Sequence, residues 1–240
     1  MKQLHCPIRS IEFINQDTRR VVLDLPEDSP FFAGQYLQMV LPEKKYPFSI
    51  ASSPHLKGQI ELHVRPTPGS EDSARVEALL DSAEFLDIEL PLGDCYLEQR
   101  PTNTLILIAA STGITQMKSI IEFLAPGGFD FPVYLYWGVL SERDLYLDEL
   151  CRSWQEQYDN FHYVPVVSEP DTSPGWQGRT GLVGQIALQD FDRVDDVTVF
   201  VSGGPGMVYA TLDAFVERGM PEKNMKSDIF SYAPRPASKS

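Results

Sequence analysis

The spacing of apolar residues changes once along this chain, near Pro101, and that change restricts what it can fold into. Before it, apolar residues recur at every second position. Ile60, Leu62 and Val64 alternate with Glu61, His63 and Arg65; Leu86, Ile88 and Leu90 alternate with Asp87 and Glu89; Val21, Leu23 and Leu25 share a face. Successive side chains of a strand point to opposite sides, so this pattern predicts strands with one face in a core and one in water. Turn-forming clusters separate the runs: Pro26-Glu27-Asp28, Pro54-His55-Leu56-Lys57-Gly58 and Pro66-Thr67-Pro68-Gly69. Short alternating strands at this spacing predict a small antiparallel β-barrel over residues 1–100, with one short helix, Ser73–Leu80, lying over it.

After Pro101 the apolar runs become continuous, at Leu105–Ile108, Val133–Tyr136, Phe161–Val167 and Val197–Val201. Strands that read this way are covered on both faces, as in parallel sheets. Helical stripes fall between them: Met117, Ile120, Ile121 and Leu124, then Val208, Leu212, Phe215 and Val216. Ser141-Glu142-Arg143-Asp144 has the form of a capping box that opens a helix running through Leu150. This alternation predicts an α/β domain over residues 101–240, a doubly wound parallel sheet, with the boundary near Gln99–Asn103. The tail Pro234–Ser240 reads as disordered.

Composition narrows the function classes. At 240 residues the chain is long enough for two domains, each with its own core. A net charge of −14 argues against nucleic acid and anionic membrane surfaces as partners, since both demand a basic face. No apolar run approaches the ~20 residues of a membrane span. Met1-Lys2-Gln3-Leu4-His5-Cys6 lacks the apolar core of a signal peptide, so the expected compartment is the cytoplasm. Cys6, Cys95 and Cys151 have no metal-ligand spacing and read as free thiols of a reducing compartment; His5, His55, His63 and His162 are dispersed, and no metal is expected.

Ligands of an open parallel sheet bind beyond the carboxyl ends of its strands. Two loops qualify. Ala109-Ala110-Ser111-Thr112-Gly113-Ile114-Thr115 joins a strand to a helix with small residues, where a pyrophosphate can approach backbone N–H groups. Ser202-Gly203-Gly204-Pro205-Gly206-Met207 follows another strand, and its glycines leave bare backbone for a flat ring. On the barrel, the strand end Tyr46-Pro47-Phe48-Ser49 offers a flat ligand a proline, an aromatic ring and the Ser49 hydroxyl, and Arg65 projects beside His63 on a polar face.

With these residues assembled, the chain resembles the ferredoxin-reductase-like superfamily, and within it the small bacterial NAD(P)H–flavin oxidoreductases. The likeness runs through Ala33-Gly34-Gln35-Tyr36-Leu37, Pro47-Phe48-Ser49-Ile50-Ala51-Ser52, Tyr136-Trp137-Gly138, Val164-Pro165-Val166-Val167, Gly175-Trp176-Gln177-Gly178-Arg179-Thr180-Gly181 and Asp228-Ile229-Phe230-Ser231-Tyr232. It implies a ferredoxin-NADP reductase-like pair of domains: a flavin-binding barrel, then a nicotinamide-binding domain, with hydride transfer from NADH or NADPH to flavin N5. Riboflavin, FMN or FAD would be substrate or weakly held cofactor. The resemblance implies Ser49 as the catalytic hydroxyl and Tyr46, Pro47, Phe48, Ser49, His63, Val64, Arg65, Thr112, Phe230 and Tyr232 at the flavin. It implies Ser111, Thr112, Gly113, Ile114, Thr115, Trp137, Gly138, Ser168, Gly203, Gly204, Pro205 and Met207 at the nicotinamide.

Four positions depart from the family. Tyr46 stands where an arginine is usual, Ala110-Ser111 where Gly-Gly is usual, and Ser202 where many relatives have cysteine. Ser168-Glu169-Pro170 offers a carboxylate near the expected adenosine ribose, which leans toward NADH, although Arg179 is not far along the chain. The leading expectation is a reductase that releases reduced flavin, for an oxygenase or another acceptor. The alternatives are a flavoprotein reductase component passing electrons to an oxygenase or ferredoxin, and a non-catalytic flavin- or nucleotide-binding module.

Overall fold

The alternating segments pair as antiparallel strands and the continuous apolar segments as parallel ones. The structure, a computed structural model, describes residues 1–26 and 29–235; the turn residues Glu27 and Asp28 and the tail beyond Arg235 lie outside the described residues. By contacts the chain forms two compact units, one of Met1–Glu98 with Lys118–Pro126, the other of Gln99–Met117 with the residues from Gly127 on.

The first unit is a six-stranded antiparallel sheet of β1 (Lys2–Phe13), β2 (Arg19–Asp24), β3 (Tyr36–Val40), β4 (Lys45–Ser49), β5 (Gln59–Val64) and β6 (Phe85–Leu92), in the order β4-β3-β6-β1-β2-β5. Strand β1 pairs with β6 through Lys2–Pro7 and with β2 from Ile8 to Phe13, so one long strand joins both halves of the sheet. The end strands β4 and β5 also approach one another, and Ala51 N–H donates to the Glu61 carbonyl at 2.8 Å, which rolls the sheet toward a barrel. Leu23, Leu37, Met39, Ile60, Leu62, Leu86 and Ile88 fill its core; each such side chain contributes roughly 1.5–3 kcal/mol by leaving water. Helix α1 (Glu71–Leu80) starts two residues before its expected position, because Ser70 caps it by accepting from Ser73 N–H.

The second unit is a parallel sheet of β7 (Thr104–Ala110), β8 (Val133–Val139), β9 (Phe161–Val167), β10 (Arg179–Thr180), β11 (Val197–Ser202) and β12 (Met225–Lys226), ordered β10-β9-β8-β7-β11-β12. Its helices are α2 (Ile114–Leu124), whose second half counts with the first unit, α3 (Asp148–Gln157), α4 (Val183–Gln189), α5 (Pro205–Glu217) and α6 (Ile229–Tyr232).

Three expectations are corrected. Glu61 and His63 do not face water: they are only 6% and 4% exposed, because side chains of α2 cover that face of β5. The capping box at Ser141 forms, with the Asp144 carboxylate accepting from the Ser141 N–H and hydroxyl, but it closes a single 3-10 turn, Glu142–Asp144, and α3 starts only at Asp148. Val216 leaves the α5 stripe at 40% exposure, and Thr211 fills the buried face beside Val208, Leu212 and Phe215.

Candidate functional site

In the second unit the chain runs β7, β8, β9 outward in one direction, then returns to lay β11 on the other side of β7. The strand order reverses between β7 and β11, and ligands of such sheets enter at that reversal. The two sequence-identified loops meet there. Gly113, in the turn after β7, has no room for a side chain: a Cβ would lie 2.4 Å from the Ser202 carbonyl oxygen at the end of β11. Ser111, which opens the turn, holds φ of 51°, a left-handed conformation unfavourable to a residue with a Cβ. The buried Trp137 side chain donates Nε1–H to the Ser111 carbonyl at 2.9 Å and stabilises that turn.

Around this turn the candidate residues divide by exposure. Ser111, Thr112 and Gly113 are half-buried, while Ile114, Thr115 and Trp137 are buried beneath them. Thr115 donates its hydroxyl to the Thr112 carbonyl at 2.8 Å. Gly138 is required by packing, since a Cβ there would lie 2.6 Å from Val183 Cβ. On the β11 side, a Cβ on Gly203 would press on Met207 and Ala110, whereas Gly204 has nothing within 4 Å and is exposed, with Pro205 opening α5 behind it. Ser168 sits at the end of β9 with N–H and hydroxyl both donated to the Val139 carbonyl. Phe230 packs on Tyr209 at 5.7 Å, and Tyr232 stands exposed on α6. The Arg179 guanidinium is engaged by Asp190 at 3.0 Å.

The first unit holds a cavity of about 190 Å³ between the end of β4, the end of β5 and α1, lined by Tyr46, Pro47, Phe48, Val64, Arg65 and Asp72, among others. Pro47 can occupy β4 because that strand ends the ladder, where a missing N–H leaves no partner unmet. Tyr46 and Phe48 turn toward the barrel core, and the Tyr46 hydroxyl donates to Asp72 at 3.1 Å. Lys44 also pairs with Asp72, and this hydrogen bond holds the exposed Asp72 carboxyl below its ordinary range. Arg65 donates Nε–H to Asp17 at 3.0 Å. Ser49, half-buried at the end of β4, pairs with Tyr36 and lies outside the lining of this cavity.

Beneath the segment that follows Ser49 lies a cluster the sequence did not reveal. Lys118 of α2, 7% exposed, places Nζ 3.2 Å from Glu61 Oε1, 2.8 Å from Glu122 and 3.3 Å from the Ala51 carbonyl. His63 Nε2 meets Glu61 Oε1 at 2.7 Å, and Arg20 donates to Glu61 Oε2 at 2.8 Å. Burial alone would raise the Glu61 pKa, but the hydrogen bonds from His63 and Arg20 and the Lys118 charge hold it far below the ordinary carboxylate range. Burial pushes His63 down, against the pull of Glu61. The Lys118–Glu122 spacing reads in sequence as an exposed i,i+4 pair; only the burial of α2 along Ile114–Ile121 shows otherwise.

Residues 5–96 match the sequence model of the oxidoreductase FAD-binding domain, and residues 107–213 that of the oxidoreductase NAD-binding domain. Over 236 residues the chain is 31% identical to the NAD(P)H-flavin reductase of Vibrio harveyi, an alignment covering 95% of this chain and 99% of that one. The chain belongs to the NAD(P)H-flavin reductase family. This family member is also 32% identical over 231 residues to the CDP-6-deoxy-L-threo-D-glycero-4-hexulose-3-dehydrase reductase of Yersinia pestis, covering 95% of this chain and 69% of that protein. Among solved structures it superimposes on the Amycolatopsis cytochrome P450 reductase GcoB with a TM-score of 0.85 at 28% identity, covering 95% of this chain and 69% of that one. In this family member no group of three or more His, Cys, Asp and Glu among the described residues is placed to hold a metal ion.

Proposed function

We propose that this chain is an NAD(P)H-dependent flavin reductase that takes a hydride from NADH or NADPH to flavin N5 and releases the reduced flavin. The observation that carries this reading is the match to an NAD(P)H-flavin reductase over 99% of that protein's length, in a chain whose FAD-type segment is followed by an NAD-type segment. The cavity of about 190 Å³ beside β4 supplies the concave lining that this reading assigns to the flavin in the first unit.

In this reading residues 1–100 form the flavin-binding domain and residues 101–240 the nicotinamide-binding domain. Tyr46, Pro47, Phe48, Val64 and Arg65 line the flavin cleft of the first unit. Ser49 donates its hydroxyl toward the flavin. Ser111, Thr112 and Gly113 with Gly203, Gly204 and Pro205 receive the nicotinamide, and Ser168 receives its nucleotide end. Ile114, Thr115, Trp137, Gly138 and Met207 act from behind, by fixing those turns, and His63 acts from within the ion cluster. The bound pair supplies hydride chemistry; the protein contributes alignment and exclusion of water. With Arg179 held by Asp190 and Glu169 exposed at the end of β9, NADH suits the adenosine end better than NADPH. The reading places the protein in the cytoplasm, where its two substrates are drawn from common pools.

Loss of reduced-nicotinamide absorbance in the presence of riboflavin, FMN or FAD tests this directly. Oxidation should require added flavin and saturate with it. Ser49→Ala should lower turnover more than flavin affinity, and an unchanged rate would remove Ser49 from its role. A second reading, a reductase component that keeps its flavin and hands electrons to an oxygenase or similar partner, is favoured by the similarity to reductases of which this chain covers 69%. Flavin that survives gel filtration would select it, as would binding without turnover for a non-catalytic module.

A further inference from the structure

We propose that Lys118 and Ser119 are positioning residues for the flavin strand; the proposal rests on the reading of β4 as the flavin edge. Four hydrogen bonds converge on Ala51 and Ser52, the residues that carry the chain away from Ser49. Ala51 N–H donates to the Glu61 carbonyl at 2.8 Å, and Lys118 Nζ donates to the Ala51 carbonyl at 3.3 Å. Ser119 donates its hydroxyl to the Ser52 carbonyl at 2.8 Å, while the Ser52 hydroxyl accepts from Glu61 N–H at 3.0 Å. The preceding residue, Ile50, donates N–H to the Gln35 carbonyl at 3.1 Å. The exit of β4 is therefore gripped from β5 on one side and from α2 on the other.

The grip depends on charge. An isolated buried ammonium is costly, and an ion pair in the interior persists only when its remaining hydrogen-bonding capacity is met. Lys118 meets it with two carboxylates, Glu61 and Glu122, and the Ala51 carbonyl. Glu61 is in turn held by His63 and Arg20, and Arg20 by Glu12 at 2.6 Å. Every member is buried or anchored, so Lys118 has one geometry, and Ala51 has one place to put its carbonyl. Errors of a fraction of an ångström in a binding edge change affinity and rate, so loss of this hold should appear in flavin handling before nicotinamide handling.

The test uses the whole chain and compares Lys118→Met, Lys118→Arg, Ser119→Ala and the double variant Glu61→Gln/Lys118→Met. Riboflavin binding is read by quenching of its fluorescence, and KM for riboflavin and for NADH are read separately. Loss of a charged hydrogen bond to the strand should raise Kd and KM for riboflavin about tenfold in Lys118→Met and about threefold in Ser119→Ala. KM for NADH should stay within about twofold, and Lys118→Arg should recover most of the riboflavin affinity. Ser119→Ala keeps the test alive if Lys118→Met does not fold. Unchanged riboflavin Kd in either folded variant, or equal rises in both KM values, overturns the proposal. A wild-type chain that quenches no riboflavin fluorescence overturns the flavin-edge reading first and takes this proposal with it.

Discussion

Both sheets have six strands, but they prepare a binding edge by different means. At the crossover of the parallel sheet the shape is made by backbone: two tight turns, one left-handed residue at Ser111, and glycines pressed against a neighbouring carbonyl or left open. At the end of the antiparallel sheet the shape is made by side chains, as Lys118, Ser119 and Glu61 clamp the chain after β4. Topology dictates the first site, because any sheet of this strand order has its crevice there. The second is dictated by ionised groups placed where hydrophobic residues would ordinarily sit.

The sharpest way to break that contrast is to remove one charge from the clamp. Glu61→Gln takes the shared partner away from Lys118, His63 and Arg20 together. Breaking one side of a buried pair costs about 3–5 kcal/mol, which should appear as a large drop in the urea midpoint. A loss near zero would mean that the barrel edge is not held by charge at all.

The backbone-built site has its own paired test. Gly113→Ala drives a Cβ to 2.4 Å from the Ser202 carbonyl, a backbone atom that cannot swing aside. Overpacking of that kind costs about 1–3 kcal/mol. Gly204→Ala meets nothing within 4 Å and should leave stability within about 0.5 kcal/mol while raising KM for NADH, since its face is the one open to ligand. Equal effects on stability from the two substitutions would show that the glycines are not divided between packing and binding.

The same contrast explains what the sequence made visible. Continuous runs such as Leu105–Ile108 and Val197–Val201 marked the parallel strands because burial on both faces leaves no polar position, and their ends located the turns at Ser111–Gly113 and Gly203–Gly204. Alternation marked β5 and β6 equally well, but it assigned Glu61 and His63 to water because a period-two pattern cannot show that a helix from far along the chain will cover the polar face. Lys118 was hidden for the same reason: its spacing to Glu122 is that of an exposed helical pair. Strand β1 was missed although Leu4, Cys6 and Ile8 alternate with the exposed His5, Pro7 and Arg9, because Pro7 interrupts the run and its register shifts between Ile8 and Ser10. The helix expected at Ser141 was displaced to Asp148 because the capping box fixes only one turn, and Leu145, with φ of −79° and ψ of 58°, leaves helical geometry.

The clamp should also make stability depend on acidity in one direction. His63, facing Glu61, Lys118 and Arg20, titrates below its usual 6.5, so between those two values the unfolded chain binds more protons than the folded one. Stability then falls as pH drops through that window. Glu61, held below its usual 4.5, adds a second loss on further acidification. Each proton can contribute a slope of at most about 1.4 kcal/mol per pH unit. Urea midpoints between neutral pH and pH near the Glu61 range should decline in two stages, and His63→Leu should remove the first. A midpoint flat across the histidine range would show that the ring is solvated in the folded chain.

The smallest expected effect lies at Tyr46, on the strand whose exit the clamp holds. Its ring belongs to the barrel core, while its hydroxyl donates to Asp72 at the rim of the cleft. Tyr46→Phe keeps the ring and removes the hydroxyl, so the loss is that of one hydrogen bond to a carboxylate already shared with Lys44 and exposed to water. Water screens a bond to so exposed a carboxylate, and its loss should be small. If Tyr46 serves only the rim, riboflavin affinity should change less than twofold, in keeping with so small a free energy. A tenfold loss would instead mean that the Tyr46–Asp72 contact holds β4 as firmly as Lys118 does, and that the flavin edge is fixed from α1 as well as from α2.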